Sequence, residues 1–363
     1  MSALHVTKTA LPPFEEYVTY LEGIWSRGQV TNHGPLVTEL EERLRRELAV
    51  EHLSLVANGT LALQLSLRAL GLEGEVITTP FSYVATTSSL VWERLQPVFV
   101  DVDPATFALD AEQVEDAITE RTSAILATHV YGLPCDVERL GEIAERHGLK
   151  VVYDAAHAFG VRYRGRPLAA YGDATALSFH ATKLFHTVEG GGVATGDPEV
   201  AHRLAYMRNF GHRGQEAYWG LGINAKASEL HAAMGLCLLP RVAAMIAARR
   251  ERVERYRELL APAGIVTWRV PEHVSWNYGY FPVVFDSEAT LLAVREALAA
   301  EEVYPRRYFY PALTELPYVA RTQAPAAESL ARRVLCLPLW ETLALEDVER
   351  VAALVLGALE RRL

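Results

Sequence analysis

Lys183 stands in the run Ser178-Phe179-His180-Ala181-Thr182-Lys183-Leu184-Phe185-His186-Thr187-Val188-Glu189-Gly190-Gly191-Gly192. Lysine is scarce elsewhere: the others are Lys8, Lys150 and Lys226, and arginine supplies the remaining basic charge. Arginine stays protonated, whereas a lysine amine can lose its proton when desolvated and condense with a carbonyl to form a Schiff base. A lysine kept where arginine serves elsewhere points to that chemistry. The plainer alternative is a surface lysine beside a glycine turn.

A second signal lies about thirty residues upstream, in Val151-Val152-Tyr153-Asp154-Ala155-Ala156-His157-Ala158-Phe159-Gly160. The apolar run reads as a buried strand, which puts Asp154 at its carboxyl end, where open α/β sheets place their ligands. A buried carboxylate needs a cationic partner. The ring nitrogen of pyridoxal phosphate is such a partner, and an aspartate there keeps it protonated so that the ring acts as an electron sink. The competing reading is that Asp154 caps a helix. A third signal is Leu55-Val56-Ala57-Asn58-Gly59-Thr60-Leu61, where a strand meets a small polar turn and then a helical pattern. Asn58 suits an N-cap and Gly59 a close backbone approach, so the first-turn amides offer a seat for phosphate.

The elements that must position these residues follow from alternating apolar runs and helical patterns. Strands are expected at 53–57, 75–79, 97–102, 123–128, 150–154, 174–179 and 191–195, with helices near 60–70, 82–94, 110–118 and 136–147. This alternation predicts βαβ units around a mostly parallel sheet, an α/β fold. From Ala225 to Leu260 the pattern is helical, with a break expected at Pro240. Beyond it, short strands mix with helices such as Ser287–Ala300 and Leu345–Arg361. The expected division is therefore a large domain over 1–245 and a smaller α+β domain over 246–363.

These segments, in this order, resemble the fold type I pyridoxal phosphate enzymes, and among them the DegT/DnrJ/EryC1/StrS sugar aminotransferases. The resemblance starts at Gly28-Gln29-Val30-Thr31-Asn32-His33-Gly34-Pro35, which is similar to the family's substrate-contacting turn. It runs through Pro80-Phe81-Ser82-Tyr83-Val84-Ala85-Thr86 and His129-Val130-Tyr131-Gly132 to Leu221-Gly222-Ile223-Asn224-Ala225-Lys226 and Arg306-Arg307-Tyr308-Phe309-Tyr310-Pro311. It implies that Lys183 anchors the cofactor and serves as general base, that Asp154 pairs with the pyridinium nitrogen, and that His157 hydrogen-bonds the phenolic oxygen. Many relatives carry glutamine at that last place, and histidine keeps a donor. Tyr83 matches the aromatic that stacks on the ring, although core packing is its alternative. Gly59, Thr60 and Ser178 look like phosphate ligands. Asn224 matches an asparagine that reaches the neighbouring subunit's cofactor, which implies a homodimer with shared active sites.

The pattern around Lys183 is more similar to the family's 4-aminotransferases than to its 3-aminotransferases. That implies L-glutamate as donor and a nucleotide-sugar acceptor, a dTDP-linked 4-keto-6-deoxyglucose. The alternatives are a 3-keto nucleotide sugar or a regulatory, binding member of the same fold. Dehydrating relatives carry histidine where Lys183 stands, which argues against them. An enzyme acting on amino acids would need a carboxylate-clamping arginine, and Arg306, Arg307 and Arg333 are candidates for it.

Composition bounds these readings. With 363 residues, half of them hydrophobic, the chain can bury a substantial core. A formal charge of −10 argues against a general nucleic-acid surface. No stretch reads as long and apolar enough to span a bilayer, and Met1-Ser2-Ala3-Leu4-His5-Val6 does not resemble a signal peptide, so the expected location is cytoplasmic. Cys135, Cys237 and Cys336 are odd in number and widely spaced, and read as reduced core thiols. His180, His186, His202, His212 and His231 lack metal-site spacing, so no metal is expected. His180 and His186 flank Lys183 and are expected on the substrate side of the cofactor.

Overall fold

A computed structural model describes residues 3–361, so Met1 and Ser2 of the leading segment, and the last two residues, lie outside the described residues. The chain opens with β1 (Leu4–His5), α1 (Phe14–Arg27) and α2 (Pro35–Glu47). It then alternates through β2 (His52–Val56), α3 (Gly59–Ala69), β3 (Glu75–Thr78), α4 (Val84–Trp92), β4 (Gln96–Phe99), β5 (Thr122–Thr128), α5 (Val137–His147) and β6 (Lys150–Asp154). A short antiparallel pair, β7 (Arg162–Tyr163) and β8 (Arg166–Pro167), precedes β9 (Ala174–Ser178), β10 (Gly191–Thr195) and α6 (Pro198–Met207).

Seven strands form the central sheet in the order β2-β10-β9-β6-β5-β3-β4. β10 runs antiparallel to both β2 and β9, and the other pairings are parallel. Both faces are covered, and the strand sequences show why they are apolar throughout. In β5, Ala124 and Leu126 join one hydrophobic cluster while Ile125 and Ala127 join the other; in β6, Val152 faces one way and Val151 and Tyr153 the other. Successive side chains point to opposite faces, so a strand between two helical layers cannot alternate with polar residues.

The seven strands fall where the sequence places them, to within a few residues. The helix expected over 110–118 does not form. In its place are two 3-10 turns, Ala111–Gln113 and Glu115–Ala117, after which Ile118 is extended. Asp110 accepts the amide of Glu112 and the side-chain amide of Gln113, which satisfies the turn locally.

Beyond α6 come α7 (Glu229–Leu238) and α8 (Val242–Leu260), separated at Pro240 by a 3-10 turn, Leu239–Arg241. The expectation that no stretch could span a bilayer is corrected here. The helical run Glu229–Ala263 has 35 residues and a mean hydropathy of 1.6 in its most apolar window, enough by length and composition alone. Half of that window is buried inside the protein. α7 packs against α1 and α2, and α8 against α11 (Leu345–Glu360), which accounts for its apolar character as a core helix. The C-terminal part adds α9 (Glu288–Ala300), α10 (Pro325–Arg333) and an antiparallel pairing of Pro282–Val284 with Val334–Cys336. β1 pairs in parallel with Val303–Tyr304.

Glu229 ties the N-terminal helices to this frame. Its buried carboxylate accepts the amides of Leu36 and Val37 at 3.1 and 2.9 Å, closing the start of α2, and meets the Arg27 guanidinium at 3.4 Å. A Cβ on Gly34 would lie 2.6 Å from that carboxyl carbon, so glycine is required there. Glu229→Ala strands two buried amides, and we expect it to lower unfolding stability by about 3 kcal/mol. Urea denaturation measures this, and Glu229→Gln, which keeps an acceptor, should recover part of the loss.

Candidate active site

The carboxyl ends of the parallel strands open on a cavity of about 520 Å³. Asn58, Gly59, Thr60, Tyr83, Asp154, His157, Ser178 and Lys183 all line it. Each is delivered by a strand end or by the turn after one, as the fold places ligands at such edges.

The βα turn after β2 is pressed against the sheet by small residues. Asn58 caps α3 by accepting the Leu61 amide at 2.8 Å. A Cβ on Gly59 would fall 2.8 Å from the Cβ of Ser178, and one on Gly191 would fall 2.5 Å from the Asn58 carbonyl oxygen. The first-turn amides of α3 thus face the cavity next to the hydroxyl-bearing residues Thr60 and Ser178, a cradle suited to a phosphate.

Asp154, at the end of β6, is buried. Its Oδ2 accepts the Thr86 hydroxyl at 2.8 Å and its Oδ1 the Ala156 amide at 3.1 Å. Burial pushes its carboxyl above the usual range, against the pull of those two donors and of Lys183. Burial moves the Lys183 amine the other way, below the usual lysine range, opposed by Asp154, Tyr308 and Tyr83. The amine donates to the Tyr280 hydroxyl at 3.1 Å. Each group is thereby brought nearer neutrality, and only their mutual attraction, with the hydrogen bonds, holds them charged.

His157 is also buried and is held well below its usual range by desolvation and by Lys183. Its Nδ1 accepts the Tyr131 amide at 3.2 Å, so the ring proton rests on Nε2. The ring lies nearly parallel to Phe309, with centroids 5.5 Å apart, and 4.5 Å from the Tyr280 ring. Tyr83 is 57% exposed, with its ring 6.5 Å from Phe309.

Some residues fall elsewhere than expected, and others were missed. His180 lines the cavity, its Nε2 3.6 Å from Glu189 Oε1, but His186 does not. His186 is fully buried and donates from Nε2 to the Ala10 carbonyl at 2.6 Å, which anchors the N-terminal segment. Asn224 lies outside this cavity, exposed, and its Oδ1 accepts from Lys226 at 2.8 Å. Arg306 lines the cavity, whereas Arg307 pairs with Glu288 and Arg333 bonds the Phe285 carbonyl. Tyr280, Tyr308 and Phe309 were given no role by the sequence. Tyr308 and Phe309 belong to a recognisable aromatic run after Arg306, but nothing local marks Tyr280. The three cysteines are free and buried. Among the described residues, no group of three or more histidine, cysteine or acidic side chains could hold a metal ion.

A doubly covered, mostly parallel sheet that carries a desolvated amine and a buried carboxylate over one cavity defines an α/β enzyme working through an amine. The chain belongs to the DegT/DnrJ/EryC1/StrS aminotransferase family, whose sequence pattern matches residues 14–356. It is 39% identical over 360 residues to a dTDP-4-amino-4,6-dideoxy-D-glucose transaminase of Shigella dysenteriae, covering 97% of this chain and 98% of that one. It is similar to the crystal structure of DesI determined with its TDP-sugar product, at 39% identity and a TM-score of 0.92, over 99% of this chain and 93% of that one. A Streptococcus pneumoniae protein assigned as a sugar aminotransferase, solved in its PMP form, superposes with a TM-score of 0.89 at 25% identity, over 98% of this chain and all of that one.

The Lys183 environment gives a measurable consequence. With so few lysines, the amines can be followed one by one after reductive 13C-methylation of the cofactor-free protein. Lys183 should titrate below the ordinary lysine range, since its neutral form is favoured by burial and present at lower pH than usual. A signal lost in Lys183→Ala assigns it, and an ordinary midpoint for that signal contradicts the desolvation.

Proposed function

We propose that the chain is a pyridoxal-phosphate-dependent aminotransferase that moves an amino group from L-glutamate to the 4-keto carbon of a nucleotide-linked 4-keto-6-deoxyhexose. The favoured acceptor is dTDP-4-keto-6-deoxyglucose, supported by the names of the Shigella transaminase and of the DesI complex. The observation that carries the reading is the pairing of Lys183 and Asp154 across one cavity beside the Gly59 cradle. The PMP form of the pneumococcal relative supports the cofactor.

The residues fit that cofactor by their donor set. When bound, pyridoxal phosphate supplies a carbonyl carbon to the amine and a cationic ring that draws electron density from the donor's α-carbon. Asp154 holds the positive ring nitrogen, and the Nε2–H of His157 donates to the phenolic oxygen. The amides at Gly59 and Thr60 and the Ser178 hydroxyl bind the phosphate, while Tyr83 covers one ring face. Lys183 would hold the cofactor at that carbonyl carbon and, as a free amine, would accept the proton from the donor's α-carbon. Its lowered basicity suits that task, because a neutral amine is the base.

Asn224 lies outside its own cavity and is exposed, which suits contact with a second copy. We assign it to the phosphate of the neighbouring site in a homodimer. A large domain over 1–245, a small one over 246–363 and a cytoplasmic location belong to the same reading.

Incubating the cofactor-loaded protein with glutamate and a panel of keto sugars tests this. We expect 2-oxoglutarate and a 4-amino product, borohydride labelling at Lys183, and no turnover in a folded Lys183→Ala variant. A 3-amino product overturns the regiochemistry; labelling without turnover on any sugar favours a binding role.

Subunit sharing has its own test. A hybrid dimer of Lys183→Ala with Asn224→Trp contains one site with both defects and one with neither, so it should recover about half the wild-type turnover. An inactive hybrid of two variants that fold and dimerise removes Asn224 from the site.

A further inference from the structure

Three buried hydroxyls lead to Asp154 through the sheet edge. Thr128, at the end of β5, donates to Ser82 Oγ at 3.1 Å; Ser82 lies 2.7 Å from Thr86 Oγ1; and Thr86 reaches Asp154 Oδ2 at 2.8 Å. All three residues are at most 3% exposed. Each hydroxyl has one proton. An ionised carboxylate only accepts, so the Thr86 proton is committed to Asp154, Ser82 must donate to Thr86, and Thr128 must donate to Ser82. Every dipole in the row points its positive end at the carboxylate. Reversal would require Thr128 Oγ1 to accept a proton's bond and Thr86 to give up Asp154, leaving the Thr128 oxygen as the end of the chain.

We infer that Thr86, backed by Ser82 and Thr128, is a positioning residue that keeps Asp154 ionised and its Oδ2 fixed, so that the carboxylate, and not the ring nitrogen it faces, stays free of the shared proton. The inference rests on the proposed cofactor. Without the row, the carboxylate has only the Ala156 amide and Lys183 against the desolvation of its site. The other titratable groups bearing on it stay uncharged: burial keeps the Cys135 thiol and Tyr280 hydroxyl protonated, holds His157 neutral, and pushes His129, next to β5, down to about 3. Lys183 is therefore the charged neighbour, and it is needed elsewhere in the reaction. A row of hydroxyls supplies a field that no reaction step removes.

The two sides of this arrangement differ in what they can tolerate. Thr86→Val keeps the shape and removes the donor, Thr86→Ser keeps the donor, and Ser82→Ala leaves Thr86 in place but unsupported. The readout is the 15N resonance of ring-labelled pyridoxal phosphate bound to each variant, together with cofactor affinity. Thr86→Val should shift the ring-nitrogen signal towards the unprotonated position and weaken cofactor retention about ten- to hundred-fold, as expected for losing a hydrogen bond to a charged group. Ser82→Ala should shift the signal part of the way, and Thr86→Ser should restore it. Identical ring-nitrogen signals in wild type, Thr86→Val and Ser82→Ala overturn the inference even if activity falls, since a purely structural role would leave the proton where it was. Should Thr86→Val fail to fold, Ser82→Ala against Thr86→Ser decides it by the same signal. A wild-type protein that binds no pyridoxal phosphate fails the cofactor reading instead, and is told apart by that absence.

Discussion

A lysine amine and an aspartate carboxylate are taken out of water into the same cavity, and the structure around them is arranged to prevent each from becoming neutral in the wrong way. Burial alone drives the carboxyl to hold its proton and the amine to lose one. A single proton passed from Lys183 to Asp154 would satisfy both and leave an inert pair. The fold works against that outcome at the carboxylate, which holds fixed donors from Thr86 and Ala156, while the Lys183 amine donates to the Tyr280 hydroxyl. The carboxylate is solvated by the protein, while the amine is left comparatively unsolvated and so is available as a base.

That asymmetry depends on the sheet. Asp154, Thr128 and Ser178 end strands β6, β5 and β9, which are hydrogen-bonded neighbours, so their relative positions are set by ladder register and not by loop conformation. The Asn58 turn is held from the other side, where β10 passes antiparallel between β2 and β9 with glycine at the closest approach. The glycine run after Lys183 is therefore partly a packing requirement. Gly191 lets the α3 cap approach, and a Cβ on Gly190 would overlap the Thr187 hydroxyl.

The strands and the cavity were legible because buried parallel strands leave a continuous apolar signature, and their carboxyl ends can be read off it. Asp154, Lys183 and the Asn58 turn were found that way. The 110–118 segment misled because its composition permits a helix while its local side-chain hydrogen bonds favour tight turns. His186 misled for another reason: proximity to Lys183 along the chain says nothing about the side of the backbone it takes, and the histidine turns inward to the Ala10 carbonyl. Tyr280 was invisible because its relation to Lys183 spans 97 residues. The hydroxyl row was also out of sight, since Ser82 and Thr86 stand four residues apart on one turn but Thr128 comes from another strand. Serine and threonine are too common for such spacing to signal anything without the fold.

The N-terminal segment has a practical bearing. Val6 and Thr7 line the cavity, the Val6 carbonyl accepts from Leu339, and the Ala10 carbonyl is held by His186, so one wall of the cavity is stitched to the fold by a few bonds from the segment ahead of α1. α11 packs on α8 and α9, and the cavity-lining residues all precede it in sequence. Changes in the Leu4–Ala10 segment therefore reach the reaction chamber directly, whereas changes on α11 touch none of its walls.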